Sequence, residues 1–279
     1  MLTRSSGYLT VRSDPPSTPV EALQWDGFTV LERVFDPGEV AALCADVERV
    51  FDQYPPDQRG DTPEESEPFR YEMLNRSGLV QAAIAHPGVL EVVEPLLGED
   101  CHVIANTAWW QQPGDNRHLG RFWHIDSGPH IPRDAGIPWD ARIPYPIFAI
   151  ATHLYLWDCP IEAGPTGVIP GSHRSGQVPP INRADDDDLE YEGRGVVPVV
   201  AQAGDVALFV SDIWHRRMPP RPGDPGRMFV QCHYGRRDIA QRIQPTSSVN
   251  HLSEEAIMRA GTARARTLVG LHPLSFYDG

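Results

Sequence analysis

Arg121-Phe122-Trp123-His124-Ile125-Asp126 is the stretch from which the rest of the chain is read. It has the texture of a short β-strand, in which successive side chains point to opposite faces. His124 and Asp126 then share one face, and Trp123 and Ile125 share the other. An imidazole and a carboxylate two positions apart are two metal ligands in one locally fixed geometry. A second histidine from a distant strand would complete the two-His-one-carboxylate set that binds non-haem Fe(II) and leaves coordination sites open. The pair alone is a weak signal. With 11 histidines in 279 residues, about one His-x-Asp is expected by chance.

The third ligand is sought further along. Gly204-Asp205 reads as a turn, the residues after it as an apolar strand, and Trp214-His215 closes that run. Residues 219–226 are dense in Pro and Gly and form another turn region. A new strand starts at Arg227. A guanidinium there, returning beside His215, can grip a dicarboxylate through a bidentate, charge-assisted pair.

The composition fits this frame. The chain is 41% hydrophobic and 22% charged, which is globular. Its length suits one large β-barrel or sandwich with added helices. A net charge of −14 leaves no basic field for nucleic acid or an anionic membrane. The 28 prolines and 24 glycines suit many short strands and turns. Cys44, Cys101, Cys159 and Cys232 form no Cys-x-x-Cys, so the expectation is free thiols in a reducing cytosol, not a zinc site. Residues 1–19 carry no apolar signal core and read as a flexible arm. No run of 18 apolar residues exists to span a membrane. The expected location is cytoplasmic.

Residues 20–279 are expected to form a single domain. Gln24–Leu31 reads as a first strand. Asp36-Pro37-Gly38-Glu39 opens a helix over 37–53, with Asp as N-cap, Pro at N1 and Glu at N3. Ser77 caps a second helix near 78–85, and Pro87 to Gly98 brackets a third. From residue 101 the texture changes to short β runs at 101–112, 121–126, 148–157, 166–169, 196–201, 205–210 and 227–234. Short strands with turn punctuation suggest an antiparallel barrel or jelly roll, mainly β with flanking helices. Residues 127–147, with four prolines, Trp139 and Tyr145, read as an active-site loop. Asp185–Asp188 reads as a solvated acidic run. Residues 253–268 read as a late helix capped by Ser253.

Three segments together resemble the phytanoyl-CoA dioxygenase family of Fe(II)/2-oxoglutarate oxygenases. They are Trp-His-x-Asp at 123–126, Gly-Pro-Thr-Gly-Val-Ile-Pro-Gly-Ser-His at 164–173, and Gly-Asp-Val…Trp-His with its following Arg at 204–227. The second is the most specific. The resemblance covers most of residues 20–235 and is weak over 52–70, the 127–147 loop and the C-terminal tail. It implies a double-stranded β-helix core of the cupin-like, jelly-roll kind. His124, Asp126 and His215 match the iron ligands. Arg227 matches the arginine that holds the far carboxylate of 2-oxoglutarate. Thr166 and Gln112 match positions that assist that co-substrate in some members. His173 matches a position given a structural hydrogen bond. Arg121 and Arg217 depart from the smaller polar groups usual there. His153 and His233 lie on barrel strands, where they could face the pocket.

The resemblance further implies Fe(II), 2-oxoglutarate and O2 as cofactor and co-substrates, with succinate and CO2 released and a C–H bond oxidised, most simply to an alcohol. Asp126 disfavours halogenation, because related halogenases have a small residue there. Arg121, Trp139, Tyr145 and Phe148 are the candidate substrate contacts, with Arg133 or Arg142 available to an anionic group. The expected substrate is a free small molecule, since no basic cluster suits the phosphates of CoA. The protein is expected to be a monomer or homodimer. Two other readings stay open here: a cupin-like metalloenzyme that does not use 2-oxoglutarate, and a non-catalytic binding protein on the same barrel.

Overall fold

A computed structural model describes residues 16–56, 67–115, 120–126, 128–140, 143–241 and 252–273. Helices come first. α1 (Pro19–Trp25) starts where the Thr18 hydroxyl accepts from the Glu21 amide, with Pro19 in the first turn. α2 (Pro37–Gln53) has the expected capping box: Asp36 accepts from the Gly38 and Glu39 amides, and Glu39 accepts from the Asp36 amide. The short α3 (Met73–Arg76) is followed by α4 (Gly78–Ala83), capped by Ser77, and α5 (Pro87–Leu97) ends at Gly98. Late in the chain come α6 (Glu254–Arg259), capped by Ser253, and α7 (Ala263–Leu268), capped by Thr262.

The strands form two sheets. They are β1 (Phe28–Leu31), β2 (Phe69–Tyr71), β3 (His102–Gln111), β4 (Ala149–Tyr155), β5 (Thr166–Val168), β6 (Val197–Val199), β7 (Val206–Val210), β8 (His215–Arg217) and β9 (Arg227–Gly235). The larger sheet runs β1-β7-β4-β9-β3-β2 and the smaller β6-β5-β8, with antiparallel pairing throughout. This is the expected jelly-roll core.

Strand alternation divides the larger sheet into two faces. Ile150 and Leu154 of β4, Leu208 of β7, and Met228, Val230, Cys232 and Tyr234 of β9 pack with α2, α4 and α5 in one apolar cluster. Ala151, Tyr155, Ala207, Phe209 and Phe229 face the smaller sheet and form a second cluster. Both faces are covered, so β7 is apolar and buried at every position. At 25 cal/mol per Å² of apolar surface, each buried side chain of this kind contributes about 1.5–3 kcal/mol.

Several expectations need correction. The first strand begins at Phe28 and not at Gln24. Residues 19–25 are helical because Thr18, Pro19 and Glu21 give a strong helix start, and Gly27 (φ +85°) turns the chain into β1. Residues 121–126 form no regular strand: among the described residues of this segment His124 alone makes a bridge, to His215. The late helix is two helices, divided at residues 260–262. Of the expected arm, residues 1–15 lie outside the described residues, while Ser17 and Thr18 bond to Glu21. Arg142 and the tail beyond residue 273 also lie outside them. Cys101, Cys159 and Cys232 are buried free thiols and Cys44 is half-buried. Among the described residues, no helix is long and apolar enough to cross a membrane.

Candidate active site

Backbone pairing sets the first ligand against the third. The His124 and His215 amides each donate to the other's carbonyl at 3.0 Å, and the two rings lie 4.3 Å apart. The Asp126 amide donates to Ser211 O at 3.1 Å, which carries the chain past the same segment. Alternation then works without a full strand. His124 and Asp126 turn inward, while Trp123 and Ile125 pack outward with Ile169, Leu189 and Trp214.

The side chains of His124, Asp126 and His215 bring one ligand atom each within 4.8 Å of one another. Both histidines are held in the same way. His124 Nδ1 lies 2.7 Å from Phe122 O, and His215 Nδ1 lies 3.0 Å from Ile213 O. A carbonyl only accepts, so each ring carries a proton on Nδ1 and presents Nε2 to the cavity. Asp126 Oδ1 is 3.4 Å from His215 Nε2, and its buried Oδ2 makes no hydrogen bond. Two imidazole lone pairs and an unsatisfied carboxylate oxygen fit a divalent first-row metal such as Fe(II).

Electrostatics keep the set in ligand form. Burial opposes ionisation of Asp126, but the charges of His215, His233 and His124 outweigh it and hold the carboxyl well below its usual range. Burial and the neighbouring His215 push His124 down to about 4, so it is neutral at pH 7. Burial also lowers His215, yet Asp126 prevails and raises it, so metal competes with a proton at His215 Nε2.

The triad opens into a cavity of about 100 Å3, lined also by Trp109, His153, Thr166, Arg217, Arg227 and Gln231. Gly226 (φ +76°) delivers Arg227 to the start of β9; a Cβ there would sit 2.5 Å from Gln111 O. Arg227 is buried. Its Nε donates to Gln111 Oε1 at 2.5 Å and its Nη1 to Gly164 O at 3.1 Å, while Nη2 makes no hydrogen bond among the described residues. Thr166 pairs with Arg217 across β5 and β8. Burial and the Arg227 charge push the Arg217 guanidinium down to about 9. Two cationic groups in one dry corner favour an anion between them.

Other expected contacts lie elsewhere. Gln112 is exposed beyond the end of β3, because the inward parity of that strand falls on Thr107, Trp109 and Gln111. Arg121 is exposed, stacks over Phe122 at 4.6 Å and does not line the cavity. Tyr145, Trp139 and Phe148 also stay out of it. Tyr145 is buried with its hydroxyl 3.2 Å from Asp212 Oδ2. Trp139 packs edge-on against Tyr145, and Phe148 stacks on His130 at 4.9 Å. The cause is Asp212, a buried carboxylate that gathers the amide and Nδ1 of His130 along with Tyr145 and draws the loop aside. Arg133, expected near the substrate, donates to Arg174 O. Residues 135–138 of the loop line a separate apolar groove of about 920 Å3 with Val178, Ile181 and Trp214, and it shares no lining residue with the metal cavity. His173 donates through Nε2 to Gln24 O at 3.2 Å, a structural bond. Arg217 and Gln231 were missed as pocket residues. Both are legible by counting two from His215 and four from Arg227 along a strand.

A profile of the phytanoyl-CoA dioxygenase family matches residues 23–219. The chain belongs to that family. Its enzymes use Fe(II), 2-oxoglutarate and O2. Similar solved structures share the fold. The epimerase SnoN, in complex with Fe3+, alpha ketoglutarate and nogalamycin RO, is 18% identical, with 85% of this chain and 92% of that one covered and a TM-score of 0.63. The alpha ketoglutarate dependent carbocyclase SnoK from nogalamycin biosynthesis is 19% identical, with 84% and 92% covered and a TM-score of 0.59. EctD from S. alaskensis, with 2-oxoglutarate and 5-hydroxyectoine, is 21% identical, with 78% and 74% covered and a TM-score of 0.59.

Proposed function

We propose that this family member oxidises a C–H bond of a free small molecule at iron held by His124, Asp126 and His215, with 2-oxoglutarate anchored by Arg227. The observation that carries this reading is the cavity itself. It has a two-His-one-carboxylate set at one end and a buried guanidinium with an uncommitted Nη2 at the other. Iron, 2-oxoglutarate and O2 together supply the oxidising power, with succinate and CO2 as co-products.

The chain's own groups do the rest. The Phe122 and Ile213 carbonyls fix the ring planes of His124 and His215, so the ligands are oriented before metal arrives. Gln111 and the Gly164 carbonyl aim Arg227, which would hold the far carboxylate of 2-oxoglutarate. Thr166 offers a hydroxyl beside it. Trp109 and Phe229, stacked 6.0 Å apart, form an apolar wall that excludes water. Asp212 holds His130 and Tyr145 outside this cavity. A net charge of −14 disfavours a polyanionic carrier, and the similar structures concern nogalamycin biosynthesis and 5-hydroxyectoine, which are free small molecules. A cytoplasmic, reducing location suits Fe(II) and four free cysteines.

The test is an anaerobic titration with Fe(II) followed by 2-oxoglutarate, watched for a visible charge-transfer band, and then exposure to air with succinate measured. No band and no succinate would remove the reading. Arg227→Gln should weaken 2-oxoglutarate about 100-fold or more, from the loss of a charge-assisted pair, with Fe(II) binding unchanged.

A further inference from the structure

The floor of the cavity carries two polar side chains that metal binding and Arg227 leave unused. β4 and β9 pair with His153 directly opposite Gln231. Both line the cavity. Along β9 the inward residues are Arg227, Phe229, Gln231 and His233, and His233 Nδ1 lies 3.7 Å from Asp126 Oδ2. His153 and Gln231 therefore occupy the row between the arginine and the triad.

His153 is only 6% exposed, and neither ring nitrogen has a hydrogen-bond partner. Its neighbours are rings: Phe229 at 4.5 Å, Phe209 at 5.0 Å and Tyr155 at 6.2 Å. A buried imidazole with both nitrogens unmatched is expensive unless a ligand completes it. Burial first, and then the charges of Arg227, His233 and His215, push its pKa far down, and the opposing pull of Asp126 does not offset them. The ring is neutral, so it has one N–H to donate. Gln231 is fixed in orientation. Trp109 Nε1 and Thr107 Oγ1 both donate to its Oε1 at 3.0 Å. The indole only donates, so the amide oxygen must lie on that side and the amide N–H groups turn the other way.

We propose that His153 is a co-substrate-binding residue that donates its N–H to the far carboxylate of 2-oxoglutarate beside Arg227, with the Gln231 amide as a neighbouring donor. A neutral donor suits this corner. Arg217 and Arg227 already bring two positive charges, and a third would repel both; an imidazole N–H adds direction without charge. The inference rests on the reading that 2-oxoglutarate spans from the triad to Arg227.

The experiment is calorimetric titration of 2-oxoglutarate into Zn(II)-loaded protein, comparing wild type with His153→Phe and His153→Gln, and repeated with 2-oxopentanoate, which lacks the far carboxylate. The phenyl ring fits among Phe209 and Phe229, and the Gln variant restores a donor. Expected results are a Kd for 2-oxoglutarate raised about 10-fold or more in His153→Phe, substantial recovery in His153→Gln, and no effect of either on 2-oxopentanoate. An unchanged Kd in His153→Phe, or an equal loss for both ligands, overturns the inference. Wild-type protein that binds no 2-oxoglutarate would instead overturn the functional reading beneath it. If His153→Phe does not fold, the 15N signals of the His153 imidazole in wild type decide: a shift on adding 2-oxoglutarate but not 2-oxopentanoate supports the contact, and no shift refutes it.

Discussion

Gly27→Ala tests how the wall behind the metal ligands is held. Gly27 has φ +85°, and a Cβ there would lie 2.5 Å from His173 Nδ1 and 3.0 Å from Ile213 Cδ1. The ring cannot step aside easily. It is 1% exposed, bonded to Gln24 O at 3.2 Å, and met edge-on by Tyr145 at 5.6 Å. A left-handed alanine costs about 1–2 kcal/mol, and forcing one methyl into a filled site costs about 1–3 kcal/mol more. The sum of about 2–5 kcal/mol corresponds to a Tm lower by about 5–15 °C in a chain of this size. The damage should also reach the metal, because the Ile213 carbonyl orients His215. The assay is thermal unfolding by circular dichroism of Gly27→Ala in two backgrounds, wild type and His173→Ala. With the ring removed, the backbone cost and the approach to Ile213 Cδ1 should remain, so the two drops differ by the overlap with His173. Equal drops in both backgrounds would refute the claim that His173 is the obstacle.

Asp212→Ala should lower stability by about 3 kcal/mol, since it strands the amide and ring of His130 and the Tyr145 hydroxyl; a loss under about 1 kcal/mol in urea unfolding would mean the loop is tied elsewhere. The metal-free protein should weaken in acid. Burial pushes His173 down to about 3 in the folded state, against about 6.5 unfolded. The unfolded chain therefore binds the extra proton between those values, and the share of stability due to His173, fully present above pH 6.5, falls by about 2 kcal/mol at pH 5. His173→Gln should make that slope shallower by this share, and an equally steep slope in the variant would exclude this cause. Burial pushes Cys101 up to about 11 and also raises Cys159 and Cys44, so at pH 8 a thiol reagent should modify at most Cys44 in native protein and all four cysteines after denaturation. Rapid modification of two or more native thiols would contradict the burial.

Local chemistry made the helices readable. Asp36, Pro37 and Glu39 set the start of α2 by contacts within three residues, and the structure keeps all of them. α1 carried a similar signal in Thr18, Pro19 and Glu21, but the run Phe28–Leu31 just beyond it has stronger β character, and the strand was extended backwards over the helix. The metal set was readable because His124 and Asp126 needed only alternation, which an extended segment provides even with one bridge. Gln112 and Gln111 could not be told apart in the same way. Which of them faces Arg227 depends on the β3–β9 register, and that pairing joins residues more than a hundred positions apart. The placement of His130 and Tyr145 depends on Asp212, whose buried carboxylate looks in sequence like any other acidic residue.

That register also ties activity to stability. On β9 the residues facing the helices are Met228, Val230, Cys232 and Tyr234, and those facing the cavity are Arg227, Phe229, Gln231 and His233. A slip of one position would put a guanidinium into the helix-packed core and a cysteine or a tyrosine beside the metal ligands. Burying an unpaired charge costs far more than any single contact here contributes, so the apolar core enforces the register of the active site. Gly226 pins the strand's first residue, and the Gln111–Arg227 bond is made only in that register. The polar row on the inner face can therefore hold groups that are poorly satisfied in isolation, such as His153, because their positions are dictated from the opposite face of the same strands.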